Sequence, residues 1–152
     1  MLDIYIDADA CPVKEETYRV AKRYGLKVYV VSNSGMRVPT AAWLEAVLIP
    51  AGSGIVDDWI AEHAQAGDIV ITTDIPLADR CLKKGARVLA PKGYPFTEDS
   101  IGEALATRAL MEELRQMGTV SGGPAPMTKQ DRSRFLSRLD EVINAIRRSP
   151  PG

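Results

Sequence analysis

The chain has 152 residues, 45% of them apolar and 26% charged, with a formal net charge of -1. That length suits one domain able to bury about two-thirds of the surface its unfolded form exposes, and the composition excludes a disordered or membrane-embedded class. With so little net charge the surface as a whole offers no basic field, so any grip on nucleic acid would rest on a local patch.

Leu2 to Ile6 is an apolar run with the look of a buried strand, and it leads straight into DADACP, where Asp7 and Asp9 stand one residue apart. Val13 to Tyr24 has helical periodicity, opened by Pro12 and closed by Gly25. A second strand is expected over Lys27 to Val31. Ser32 to Trp43, with Gly35, Pro39 and few apolar positions, reads as loop with at most a helical turn. Ala46 to Ile49 is the third strand, Val56 to Ala66 a helix closed by Gly67, Asp68 to Thr72 the fourth strand, Pro76 to Lys84 a helix closed by Gly85, and Arg87 to Ala90 the fifth strand. Near-continuous apolar strands alternating with helices of this length predict an α/β fold, a mostly parallel sheet covered on both faces. Thr97 is an N-cap for a helix from Glu98 to Met117, after which GTVSGGPAPM reads as a Gly/Pro-rich linker. TKQD then opens a helix that places Phe135, Leu136, Leu139, Val142, Ile143 and Ile146 on one face, to be buried against the same chain. The expected organisation is an α/β domain over 1–117, a linker over 118–127 and an amphipathic helix over 128–148.

Some chemistry is set aside at this stage. Cys11 and Cys81 stand in no CxxC or Cys/His spacing and read as small buried hydrophobes, while His63, the only histidine, reads as a solvated helix residue. The start of the chain lacks the basic segment, long apolar segment and cleavage site of a signal peptide, and no apolar run is long enough for a bilayer. A cytoplasmic protein is the expectation.

In a sheet with helices on both faces the strand order must reverse, and ligands sit beyond the carboxyl ends of the strands at that reversal. The acids fall on that edge. Asp7 and Asp9 follow the first strand, Asp57 and Asp58 open the helix after the third, Asp74 ends the fourth, and Asp79 follows in the next helix. Each has a plain alternative: Asp74 caps a helix, Asp57 and Asp58 suit a first-turn dipole, and Asp9 serves the helix near Pro12. Gathering four carboxylates within about 4 to 6 Å costs on the order of 1 to 4 kcal/mol per like-charged pair at surface-like dielectric. A hard divalent cation, Mg²⁺ or Mn²⁺, would offset that cost and bring metal-assisted attack on phosphorus.

The stretches DADACPVKEE, VDDWIAEHA and GDIVITTDIPLADRCLKKGARVLAPKG, with Ser32–Asn33 and the late GGPAPMTKQDRSRFLSRLD, resemble the bacterial YaiI/YqxD family, also called UPF0178. The order of acids is in turn similar to PIN-like and NYN ribonuclease domains. That resemblance implies a sheet of order 3-2-1-4-5, with Asp7 beside Asp74, and a nuclease using Mg²⁺ or Mn²⁺ on nucleic acid, RNA in preference to DNA. It implies Asp7, Asp58 and Asp74 as the catalytic metal-binding core, Asp57 as a fourth member and Asp79 as an outer ligand. Whether Glu15 or Glu16 supplies the early-helix glutamate of many PIN domains is left open by the spacing. Asp9, Ser32, Asn33, Lys14, Arg37 and Lys92 lie where they would contact substrate, although Ser32–Asn33 also reads as a plain turn and each cation as a surface charge. Tyr5 and Tyr94 are candidates for base stacking, with core packing and a packed turn as the plain alternatives.

Two other readings compete. IYIDADAC with VVSNSG resembles a haloacid-dehalogenase-type phosphatase with Asp7 as nucleophile and Asp9 as acid/base, but no clear lysine precedes the later acids. A non-catalytic module that keeps the acids for a structural cation or a basic partner is the third. No membrane partner is expected, and the chain is expected to be a monomer or homodimer.

Overall fold

The computed structural model describes residues 2–35, 37–52, 54–103, 105–107 and 126–148. Chain order is β1 (Asp3–Asp7), a 3-10 turn (Ala8–Ala10), α1 (Lys14–Tyr24), β2 (Lys27–Ser32), β3 (Leu44–Leu48), α2 (Ile55–His63), β4 (Ile69–Ile71), α3 (Ile75–Lys83), β5 (Arg87–Leu89), β6 (Pro95–Phe96) and a C-terminal helix (Lys129–Arg148). Among the described residues the strands form one sheet of order β3-β2-β1-β4-β5-β6. The first five run parallel and β6 alone is antiparallel. This agrees with the expected α/β sheet and extends it by β6, which the sequence reading does not contain.

Alternation along β1 divides the core. Ile4 and Ile6 face one side with Val20 and Ala21 of α1 and Phe135, Leu139 and Ile143 of the C-terminal helix. Tyr5 faces the other with Val56 and Ile60 of α2 and Leu77, Ala78 and Cys81 of α3. The result is three layers, helix, sheet and helix, as near-continuous apolar strands require. Phe135, Leu139 and Ile143 have no exposure at all, while Leu136, Val142 and Ile146 are half-buried. At about 1.5–3 kcal/mol per fully buried large apolar side chain, those three contribute on the order of 5–9 kcal/mol before ordering costs. Gly25 ends α1 at φ 68, where its N–H reaches the Ala21 and Lys22 carbonyls, a left-handed position that glycine takes without strain.

Among the described residues between Ser32 and Leu44 no helix forms; Ala42 and Trp43 make a plain turn before β3. Residues 98–103 and 105–107 are helical, in line with the helix expected from Glu98; the rest of that helix and 118–125 of the linker lie outside the described residues. No helix among the described residues is long and apolar enough to cross a membrane.

Connections β1 to β2 to β3 step one way across the sheet, and the next strand, β4, pairs on the opposite side of β1. The winding reverses between β1 and β4, which opens a crevice at their carboxyl ends.

Candidate active site

Asp7 is the last residue of β1, and Thr72 and Asp74 follow β4 on the other side of the crevice. Thr72, buried, joins the two acids: its Oγ1 donates to Asp7 Oδ2 at 2.8 Å and accepts from the Asp74 backbone N–H at 2.9 Å. Asp74 Oδ1 also accepts from Leu77 N at 2.8 Å, so this acid is the N-cap of α3, while its other oxygen has no hydrogen-bond partner among the described residues. Asp7 and Asp74 are therefore brought together, as expected. Burial pushes the Asp7 carboxyl above its ordinary range, opposed by the Thr72 hydrogen bond and reinforced by the charges of Asp74 and Asp9.

Asp57 joins from the first turn of α2. Burial, then Asp74 and Asp7, push its carboxyl up to about 6, with Arg80 pulling the other way. Among the described residues it makes no hydrogen bond. Asp58 turns outward instead: its side chain is 59% exposed and pairs with Arg80 at 2.9 Å. Asp79 pairs with Lys83 at 2.9 Å one helical turn on. Asp9 holds the loop after β2, accepting from Asn33 N at 3.0 Å and from Ser34 Oγ at 2.6 Å. Asp7, Asp57 and Asp74 thus couple through space at the reversal point, while Asp9 (whose charge also reaches Asp7), Asp58 and Asp79 are tied to other partners.

Among the described residues no group of three or more His, Cys, Asp or Glu side chains is gathered closely enough to form a ready cage. Mg²⁺ seldom needs one: it is commonly held by one or two carboxylates, with waters and substrate oxygens completing the octahedron. Hard oxygen donors on Asp7 and Asp74, with Asp57 raised first by burial and then by the charges of Asp74 and Asp7, fit that mode.

The family model "Uncharacterized BCR, YaiI/YqxD family" matches residues 5–145. The chain belongs to the YaiI/YqxD family. It is 59% identical to a UPF0178 protein of Rhodospirillum centenum over 97% of this chain and 99% of the relative. It is 57% identical to one from Parvibaculum lavamentivorans, over 99% of each chain, and 52% identical to one from Caulobacter vibrioides, over 97% of each. No solved structure matches it.

The remaining expected positions of this YaiI/YqxD chain spread around the same edge. Ser32, buried, ends β2, and its carbonyl accepts from Ile49 N at 2.8 Å; Asn33 beside it is exposed. Lys14 directs its ammonium to the Ala8 carbonyl at 3.0 Å and the Cys11 carbonyl at 2.6 Å, which pins the turn after Asp7 onto α1. Arg37 is exposed, and the Lys92 carbonyl accepts from Arg134 at 3.2 Å. Glu16 is buried in an ion pair with Arg132 at 2.8 Å, so it serves the packing of the C-terminal helix; Glu15 stays on the surface. Tyr5 stacks on Tyr29 in the core, and Tyr94 is 56% exposed with Arg134 over its ring. Burial pushes both thiols up to about 11, which leaves Cys11 and Cys81 protonated at neutral pH. His63 stacks on Trp59 at 3.8 Å between ring centres. Sequence reasoning missed Thr72; its one signal is TTD, a hydroxyl two residues before the strand-end acid.

Proposed function

We propose that this YaiI/YqxD protein is a divalent-metal-dependent hydrolase of phosphodiester bonds, a PIN-like nuclease that acts on RNA. The observation that carries the reading is the Asp7–Thr72–Asp74 linkage across the crevice, beside Asp57, which burial first and then the same two acids push up to about 6. Negative charge concentrated at a strand reversal, with no cationic side chain paired to Asp7 or Asp74 among the described residues, is the electrostatics a hard cation relieves.

Asp7 and Asp74 would hold Mg²⁺ or Mn²⁺. The metal, when bound, would lower the pKa of an attacking water and neutralise charge on the leaving oxygen. Thr72 keeps the two acids in fixed register, and Asp74 is held further by its cap on α3. Asp57, in the first turn of α2 and coupled to both acids, would help hold the metal or a water bound to it. Asp9 differs: tied to Asn33 and Ser34, it fastens the β2 loop, a poor position for the acid/base of a phosphatase with Asp7 as nucleophile.

The test is cleavage of an end-labelled RNA in Mg²⁺ or Mn²⁺, with chelator and the Asp7→Asn and Asp74→Asn proteins as controls. The expected result is metal-dependent cleavage leaving a 5′-phosphate, lost in both variants. Full activity in both variants, or a beryllofluoride adduct on Asp7, overturns the proposal.

A further inference from the structure

On the α1 side of the sheet, a groove of about 540 Å³ opens between the first turns of α1 and the connection after β2, lined by Lys14, Glu15, Tyr18, Arg37, Val38 and Pro39. Tyr18 and Val38 rest against the buried core and form, with Pro39, an apolar wall. The groove adjoins the proposed catalytic edge through covalent and hydrogen-bonded links. Lys14 grips the Ala8 carbonyl one residue past Asp7, and Asp9 holds the start of the loop that carries Arg37 to Pro39.

We infer that this groove seats an unpaired nucleobase of a single-stranded RNA whose phosphate lies at Arg37, so that the backbone leaves the groove toward Asp7 and Asp74. The inference rests on the proposed nuclease reading and adds to it the form of the substrate.

Three features favour a base over a run of phosphates. The volume lies in the range of small-molecule pockets, and the apolar wall with one aromatic ring suits stacking, which tolerates any base. The charges are few. Lys14 already satisfies two carbonyls, and Glu15 on the same wall repels phosphate, leaving exposed Arg37 as the free cation of the groove among the described residues. A duplex gripped by its backbone calls for several phosphate contacts, and one cation cannot supply them. A base still stacked in a duplex, moreover, cannot enter a recess between a helix and a loop. The Tyr18 hydroxyl has no hydrogen-bond partner among the described residues. Burial first, then Cys11 and Glu15, raise its pKa, so the ring faces the groove as a neutral phenol.

Fluorescence anisotropy with a short fluorescein-labelled single-stranded RNA of mixed sequence, in chelator, tests the inference without hydrolysis. The same strand annealed to its complement and a nucleoside 5′-monophosphate serve as competitors. Tyr18→Leu keeps most of the side-chain volume and removes the π face, Val38→Trp fills the groove, and Arg37→Ala changes an exposed residue that packs on nothing in the core. The expected result is single-strand binding at least fivefold tighter than duplex or mononucleotide, and at least fivefold weaker in all three variants with melting temperatures near wild type. Equal affinity for the duplex, a mononucleotide that binds as tightly as the strand, or an Arg37→Ala protein with wild-type affinity overturns it. Asp7→Asn separates the two proposals: binding that survives in this variant while no metal-dependent cleavage is found sinks the nuclease and leaves the groove. Metal-dependent cleavage with single-strand affinity indifferent to the three groove variants sinks the groove and leaves the nuclease.

Discussion

Thr72→Val tests the linkage on which the crevice depends. The substitution replaces Oγ1 by a methyl of similar volume at a position 1% exposed, so packing and the β-branched shape persist while two hydrogen bonds vanish. The bond to Asp7 has a charged acceptor, a class worth about 1.5–3 kcal/mol, and leaving the Asp74 N–H without an acceptor costs roughly 1–3 kcal/mol. One hydroxyl serves both, so the losses overlap, and about 3 kcal/mol is expected in all. For a chain of this size that lowers Tm by about 6–12 °C. The loss is pH-dependent with a definite sign. Thr72 stabilises the charged form of Asp7, whose carboxyl already sits above its ordinary range through burial, so removing the donor raises it further. The penalty is therefore largest at neutral pH, where folding must keep Asp7 ionised, and shrinks as pH falls through the carboxylate range and both proteins carry it neutral. Urea unfolding in chelator at neutral and acidic pH measures this, with Thr72→Ser, which keeps the hydroxyl, as the comparison. A Thr72→Val protein as stable as Thr72→Ser at neutral pH, or equally destabilised at both pH values, refutes the linkage.

Asp57→Asn is expected to stabilise the metal-free protein at neutral pH by about 1 kcal/mol, a figure discounted because this side chain is only partly buried. Because its folded pKa of about 6 exceeds the ordinary 3.8, wild type loses that stability as pH rises from about 4 through 6, and the variant does not; urea midpoints in chelator at pH values on either side of that window read the difference. Asp74→Asn keeps the cap on α3 and removes the charge, so thermal melting should match wild type within about 0.5 kcal/mol, whereas Asp74→Ala loses about 1 kcal/mol more; isothermal titration should find Mn²⁺ binding lost in both. Leu139→Ala empties a fully buried position under the C-terminal helix and should cost about 2–5 kcal/mol by chemical denaturation.

The sheet was legible because its strands, such as Ile69–Ile71 between Gly67 and Asp74, are apolar on both faces and punctuated by glycine and proline. β6 was not, since two residues, one of them a proline, carry no periodicity. The acids were legible as an edge but not as directions. Successive helical residues differ by about 100°, so Asp57 can face the crevice while its neighbour Asp58 reaches out to Arg80. Asp9, two residues after Asp7, would share its side in a continuing strand, yet the 3-10 turn at Ala8–Ala10 intervenes and Asp9 instead holds Asn33 and Ser34. Thr72 escaped because a strand-end threonine is an ordinary β-former; only the two partners of its hydroxyl mark it.

The last helix shares its core with residues near the start of the chain, with Ile4, Ile6 and Val20 in one cluster with Phe135, Leu139 and Ile143 across more than a hundred intervening positions. Without that helix this face of the sheet is covered by α1 only in part, so a partly folded chain leaves apolar surface open to association. Arg132 lands on Glu16 and the Pro12 carbonyl, beside the turn that follows Asp7. The turn beyond Asp7 is thus braced from the far end of the sequence, so loosening the helix would disturb the proposed catalytic edge as well as bare the core.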